Sequence, residues 1–253
     1  MNFKKLFDGV TGLSRTEDID TTVIGASVNG IPIQAFHVGE YNENQIIITG
    51  AIHAREWITA LLVTELARLY ALAGITDGGI YFIPLCNPDG VQIALEHAPL
   101  WKANARGVDL NVNFDACWGQ GAQNIRVAGP ENYIGPNPNS EPEVQALVDF
   151  TKKIKPRATV AYHSKGEVIY YRLAKSFCLA KEISKITKYK PEKTKNSDGG
   201  YSDWVALHLD IPALTIEAGN DNYAHPIGTD KLLEILKQNI DVPMALIGRG
   251  DRI

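Results

Sequence analysis

Cysteine and methionine are scarce in this 253-residue chain, at three and two, and it has neither a long apolar run nor an excess of basic residues. Each shortage excludes something. Cys86, Cys117 and Cys178 are an odd number with no CxxC or knuckle spacing. A disulfide framework is therefore not expected, and reduced thiols in a cytoplasmic protein are. No segment approaches the roughly 20 apolar residues that span a bilayer. Met1–Val10 carries Lys4 and Lys5 but no apolar segment behind them, so it does not read as a signal peptide. With 29 acidic against 25 basic residues the formal charge is −4, which argues against nucleic acid or an anionic membrane as partner. No phosphate-cradling glycine loop, repeat or linker is visible. Hydrophobic and charged fractions of 45% and 21% are those of a soluble globular protein. The length fits one domain, expected over 1–253 with 1–20 as a lead-in.

What is present is organised around Ile48-Thr49-Gly50-Ala51-Ile52-His53-Ala54-Arg55-Glu56-Trp57. An apolar strand, Gln45 to Gly50, turns into an amphipathic helix expected over 56–73. His53 and Glu56 fall at the turn, where an imidazole and a carboxylate three residues apart close on one cation. A third ligand is offered by His163 in Tyr162-His163-Ser164, directly after the apolar run Ala158–Ala161, and a further carboxylate by Glu217, after Pro212–Ile216. Elsewhere, Asn29-Gly30 predicts a two-residue hairpin turn, Cys86–Gly90 a turn cluster, and Ser140 with Glu143 a capping box. Strands are expected at 79–84 and 167–171, helices at 173–187, 202–209 and 229–239, and polar loops at 98–138 and 188–200. Strand–helix alternation predicts an α/β fold, a largely parallel sheet covered on both faces. Its ligands should gather at the carboxyl ends of the strands.

These pieces occur in a telling order: His53-x-x-Glu56 with Trp57-Ile58-Thr59, Asn87-Pro88-Asp89-Gly90, Gly107-Val108-Asp109-Leu110-Asn111-x-Asn113-Phe114, Tyr162-His163-Ser164, Gly199-Gly200-x-x-Asp203-Trp204 and Thr215-Ile216-Glu217. From about 20 to 240 the chain resembles the zinc metallocarboxypeptidases of the carboxypeptidase A type. The resemblance implies an α/β/α sandwich on a mixed, mostly parallel eight-stranded sheet. It implies one zinc ion held by His53, Glu56 and His163, with Glu217 as the catalytic base and Asp109 orienting a zinc histidine. Arg55 would line the substrate groove. The oxyanion cation is expected at Arg106, with Lys102, on which a gapless count falls, as the alternative.

Two departures redirect the expected substrate. The family's Asn-Arg-Asn-Phe, whose arginine grips a terminal carboxylate, here reads Asn111-Val112-Asn113-Phe114. Valine makes no bidentate ion pair. The tyrosine usually four residues before the glycine pair is replaced by Lys195. Together with His163–Tyr171, this looks like the bacterial γ-D-glutamyl–meso-diaminopimelate peptidases, which cut murein stem peptides internally. Substrate contacts are expected from Arg55, Asn111, Lys102, Lys165 and Lys195, and Lys165, Glu167, Lys195 or Arg172 would read the polar end of diaminopimelate. The alternatives are a zinc carboxypeptidase and a non-catalytic peptide-binding member.

Overall fold

A computed structural model describes residues 1–248. Eight strands form one mixed sheet: β1 Asp20–Ala26, β2 Pro32–Gly39, β3 Gln45–Thr49, β4 Gly79–Ile83, β5 Ala158–His163, β6 Val168–Tyr171, β7 Lys190–Lys193 and β8 Ala213–Glu217. Their order is β1-β2-β4-β3-β5-β8-β6-β7. The middle four, β4, β3, β5 and β8, run parallel, while β1, β2 and β6 join antiparallel. The expected α/β architecture is the one observed.

Strand alternation builds two cores. Ile46, Ile48, Ile80, Phe82, Val160, Tyr162, Leu214 and Ile216 point to one face. They meet α1 Phe3–Thr11, α2 Ile58–Ala73, α5 Ala174–Thr187, α7 Leu232–Asn239 and α8 Val242–Ile247. The intervening Ile47, Tyr81, Ile83, Ala161 and Ala213 meet α4 Pro142–Ile154 and α6 Tyr201–Trp204 on the other face. A central parallel strand buried on both sides has no polar position to spare, hence Gln45-Ile-Ile-Ile-Thr49, buried throughout.

Several sequence expectations are corrected. The Asn29-Gly30 hairpin forms, but Ala26 pairs with Pro32 and the loop is closed by Gly30 N–H donating to Ser27 O, so it is longer than two residues. Cys86–Gly90 is not a mere turn: α3, Pro88–Glu96, starts there, capped by Asn87, whose Oδ1 accepts from Gly90 N–H at 3.0 Å. The Ser140–Glu143 capping box is absent. Ser140 Oγ turns to Glu141 and Glu143 is buried against Val28 N–H and Asn104. The polar loop 188–200 contains the edge strand β7, and α8 was not anticipated. Both are short and lack the periodicity that marks longer elements.

Candidate active site

Gly50 makes the turn after β3. A Cβ there would lie 2.7 Å from the Thr59 carbonyl oxygen and 3.0 Å from that of Pro84, so α2 packs onto bare backbone. Thr59 ties the turn together, its Oγ1 accepting from Ala51 N–H and donating to Glu56 O, both at 2.8 Å. This fixes His53 before a short 3₁₀ turn, Ala54–Glu56, that leads into α2. His163 and Glu217 are the last residues of β5 and β8 and are register partners. Three adjacent parallel strands thus deliver their carboxyl-terminal groups to one place.

There His53 Nδ1 lies 2.9 Å from Glu56 Oε1, His163 Nδ1 lies 3.0 Å from Glu56 Oε2, and the two Nδ1 atoms are 3.0 Å apart. All three residues are buried. Two ring nitrogens facing each other at that distance need something shared between them. One proton satisfies a single pair, whereas a divalent cation takes both nitrogens and the carboxylate at once. Two imidazoles and a carboxylate are a donor set suited to zinc, with a fourth position left open. The fit is good. His163 Nε2 has no hydrogen-bond partner among the described residues, so nothing else competes for that ring. Burial opposes the charge on Glu56, but His53 and His163 outweigh it and hold its carboxyl well below the ordinary range.

Behind His53, Asp109 is fully buried, with Oδ1 3.3 Å from His53 Nε2 and Oδ2 2.8 Å from Lys102 Nζ. It also accepts the N–H groups of Asn111 and Asn132 at 3.1 Å. Burial would raise its pKa, yet Lys102 and His53 depress it far below the usual carboxylate value. Lys102, 15% exposed, lines a cavity of about 520 Å³ together with His53, Asn111, Val112, Lys195 and Glu217. Glu217 has its pKa pushed up to about 7 by burial and by Glu56, against the pull of His163 and Lys102.

Among the expected substrate-side residues the structure discriminates. Arg106 is not brought to the site: its side chain is 53% exposed and turns to Glu141, with Nη1 3.6 Å from Oε2. Lys102, the gapless-count alternative, does line the cavity. A guanidinium is the better chemical match, but Asn104 Oδ1 accepts the N–H groups of Arg106 and Val108 and folds the loop away. Arg55 Nη1 donates to Glu131 at 3.0 Å. Lys165 binds the carbonyl and carboxylate of Asp221, and Glu167 binds Asn220 and Gln238; neither lines the cavity. Lys195 does. The sequence reading missed the lining by Asp198 and Asp203, both paired with Arg172; only the motif around Asp203 had hinted at them. Val112 also meets the glycine pair, through its backbone rather than its side chain. The Gly199 backbone, at φ +90°, closes on it so tightly that a Cβ would lie 2.8 Å from Val112 O.

Comparison with known proteins agrees with this geometry. A zinc carboxypeptidase family model matches residues 14–196. Gamma-D-glutamyl-L-diamino acid endopeptidase 1 of Lysinibacillus sphaericus is 30% identical over 81% of this chain and 62% of its own length. Carboxypeptidase A6 of Mus musculus is 31% identical over 58% of this chain and 39% of its own. The chain thus spans about three fifths, or less, of these relatives. In structure, bovine thrombin-activatable fibrinolysis inhibitor superposes with a TM-score of 0.86 at 19% identity, covering 98% of this chain and 96% of that one. Murein-tripeptide amidase MpaA of Escherichia coli O157 gives 0.65 at 23%, covering 92% and 93%. These two likenesses establish the fold. No helix among the described residues is long and apolar enough to cross a membrane.

Proposed function

Since this chain belongs to the zinc carboxypeptidase family, we propose that it is a zinc-dependent peptidase that hydrolyses the γ-D-glutamyl–meso-diaminopimelate bond of bacterial cell-wall peptides. The observation that carries this reading is Val112 in the cavity wall beside an intact His53–Glu56–His163 group and Glu217. The hydrolytic set is complete, and the arginine that would hold a terminal carboxylate is replaced by a group that cannot. Cleavage of an internal bond dispenses with that anchor. The name of the L. sphaericus relative, a γ-D-glutamyl-diamino acid endopeptidase, points the same way.

A zinc ion held by His53, Glu56 and His163 would polarise the scissile carbonyl and acidify an attacking water. The chain's own groups do the rest. Glu217, partly buried at the end of β8, accepts the proton of that water and returns it to the leaving amine. Lys102 sets its ammonium where negative charge grows on the carbonyl oxygen, the task first expected of Arg106. Asp109 holds His53 in one ring orientation through Nε2 and keeps Lys102 charged. Asn111 Oδ1 accepts from Tyr201 N–H, which leaves its amide donor for the substrate.

One observation favours a second reading, a carboxypeptidase: Lys195 lines the cavity without an ion-pair partner among the described residues and would be the cation for a terminal carboxylate. Mass spectrometry separates the two. Zinc-loaded protein is incubated with L-Ala-γ-D-Glu-meso-diaminopimelate, its D-Ala-extended form, and hippuryl-Phe, with Glu217→Gln as the blank. Cleavage before diaminopimelate in both muropeptides with hippuryl-Phe intact is the expected result. Release of Phe with intact muropeptides would overturn it in favour of the carboxypeptidase.

A further inference from the structure

The flank of the His53–Glu56–His163 group away from the cavity carries polar side chains that the proposed hydrolysis does not use. His53, Lys102 and Glu217 line the cavity, whereas Arg55, Glu131, Lys165 and His225 do not. Arg55 stands on the 3₁₀ turn between His53 and Glu56. Its Nη1 donates to Glu131 Oε2 at 3.0 Å, which fixes the direction of a guanidinium that is 22% exposed. Its Nε, by contrast, is buried with no hydrogen-bond partner among the described residues. The same is true of His225 Nδ1. A buried polar nitrogen left unanswered costs free energy, and nearly all such groups in folded proteins have a partner.

The loop after β8 brings His225 to this flank. It leaves Glu217 stitched to the chain beyond β5, with Ala218 N–H donating to His163 O at 2.8 Å and Gly166 N–H to Gly219 O at 2.9 Å. Lys165 Nζ donates to the carbonyl and carboxylate of Asp221. The loop returns at Ile227, which is buried against Gly219: a Cβ on Gly219 would lie 3.0 Å from Ile227 Cδ1. Its two feet therefore lie together, and His225 sits on the returning limb of the excursion 220–226. The charged groups that act on His225 are Glu56, Arg55, Lys165 and His53. Burial lowers its pKa; Glu56 opposes this, and Arg55, Lys165 and His53 add to it. It is thus a neutral imidazole at neutral pH, with one nitrogen donating. Arg55 and His225, 170 residues apart in the chain, set unanswered nitrogens beside the same ligand group.

We propose that Arg55 and His225 are specificity-determining residues on the acyl side of the scissile bond, together holding a carboxylate three carbons beyond the scissile carbonyl. Glu217 returns its proton to the leaving amine from the cavity side, so the opposite flank meets the acyl half. The proposal rests on the γ-glutamyl reading for its natural ligand: in a γ-linked D-glutamyl residue the free α-carboxylate stands at that place. One carboxylate accepts from the Arg55 Nε–H and from the imidazole N–H, and the guanidinium makes the contact charge-assisted. A carboxamide of the same shape turns its own N–H groups toward one of the two donors. A site built for two acceptor oxygens rejects such an analogue.

The experiment compares kcat/KM of the zinc-loaded protein within two pairs that differ only by carboxylate against carboxamide. The first is L-Ala-γ-D-Glu-meso-diaminopimelate and its D-isoglutamine form; the second is glutaryl-Phe and its carboxamide, glutaramyl-Phe. The first pair serves the γ-glutamyl reading and the second the carboxypeptidase. In whichever pair is hydrolysed, the carboxylate member should be preferred by at least about tenfold. Arg55→Met and His225→Phe should each cut that ratio by at least about threefold. His225→Asn, whose Nδ2 takes the place of the ring Nδ1, should restore it, as a packing role would not. Zinc content and thermal melts confirm that each variant is folded. A wild-type ratio near one, or a ratio that either Arg55→Met or His225→Phe leaves unaltered, overturns the subsite. If His225→Asn falls as far as His225→Phe, His225 has no part in it. Hydrolysis of the second pair alone ends the γ-glutamyl reading and leaves the subsite to be judged on that pair. With neither hydrolysed, calorimetry on zinc-loaded Glu217→Gln decides: the carboxylate member of one pair should bind at least about tenfold tighter, and Arg55→Met should remove the preference. Equal affinity, or binding of none, overturns the subsite.

Discussion

Lys102 serves two neighbours, and removing it separates them. With Asp109 it forms a buried ion pair; toward the cavity it lines the wall with His53 and Glu217. Lys102→Met leaves the buried Asp109 with His53 and two backbone N–H groups but without its ammonium, which should cost about 3–5 kcal/mol at neutral pH. The folded pKa of Asp109 is depressed, so in the wild type its contribution is present above the unfolded value and lost only as pH falls through the folded one. In the variant the Asp109 pKa rises, and protonation relieves the unpaired charge. Urea unfolding in chelator should therefore show a deficit that is largest near neutrality and shrinks as pH falls. A deficit independent of pH would count against the pairing. Glu217 gives the second test at this scale. As a base it must be ionised, so kcat/KM should fall as pH drops below its pKa. Burial and Glu56 raise that pKa to about 7, and a cation on the neighbouring trio pulls it down from there. The acid limb should lie below 7 in the zinc-loaded protein and move upward in Lys102→Met. Glu217→Gln should lose about 10²- to 10⁴-fold in kcat with zinc content unchanged. A variant that keeps its rate would remove Glu217 from catalysis.

The elements that carry chemistry were legible because they combine a strong period with an abrupt polar stop. Apolar runs of five or six residues ending in His163 or Glu217 announce buried parallel strands, and a polar group at such an end has a partner or a task. Less legible were elements whose pattern is set by what they pack against. Asn87-Pro-Asp-Gly opens α3 only because the Asn87 side chain binds Ile52 O and Ala103 O as well as Gly90 N–H. Lys-Pro-Glu-Lys pairs as β7 only because β6 offers an edge. The irregular 98–138 segment hid the choice between Lys102 and Arg106, since loop direction there follows from Asn104, whose Oδ1 accepts from Arg106 and Val108 N–H and whose Nδ2 donates to Glu141 and Glu143, bonds no spacing rule foretells. The β3–α2 turn can be tested as an element. Gly50→Ala puts a methyl against the Thr59 and Pro84 carbonyls, which should cost about 1–3 kcal/mol by overpacking. It should also weaken zinc binding, because the shift is passed to His53 three residues on. Lost stability with unchanged zinc affinity would show the turn to be packing alone.

For the whole molecule, the candidate metal centre joins parts of the chain far apart in sequence. His53 and Glu56 lie beyond β3, His163 ends β5 across 110 residues, and each sits between the two cores that pack the sheet. In the unfolded chain these three ligands are not assembled, so a metal that binds them stabilises the folded state by linkage. At a free concentration 1,000-fold above the dissociation constant the stabilisation is about 4 kcal/mol. For a domain of this length about 1 kcal/mol moves the melting temperature by roughly 2–4 °C. Zinc added to chelator-treated protein should therefore raise the melting temperature by roughly 8–16 °C, and chelator should reverse the rise. His163→Ala should abolish most of the shift, because two ligands from one turn neither span the sheet nor complete the site. Asp198→Asn should leave it intact, since the acidic pair lines the cavity without belonging to the trio. A zinc-induced shift that survives His163→Ala would place the metal elsewhere, and with it the reaction centre.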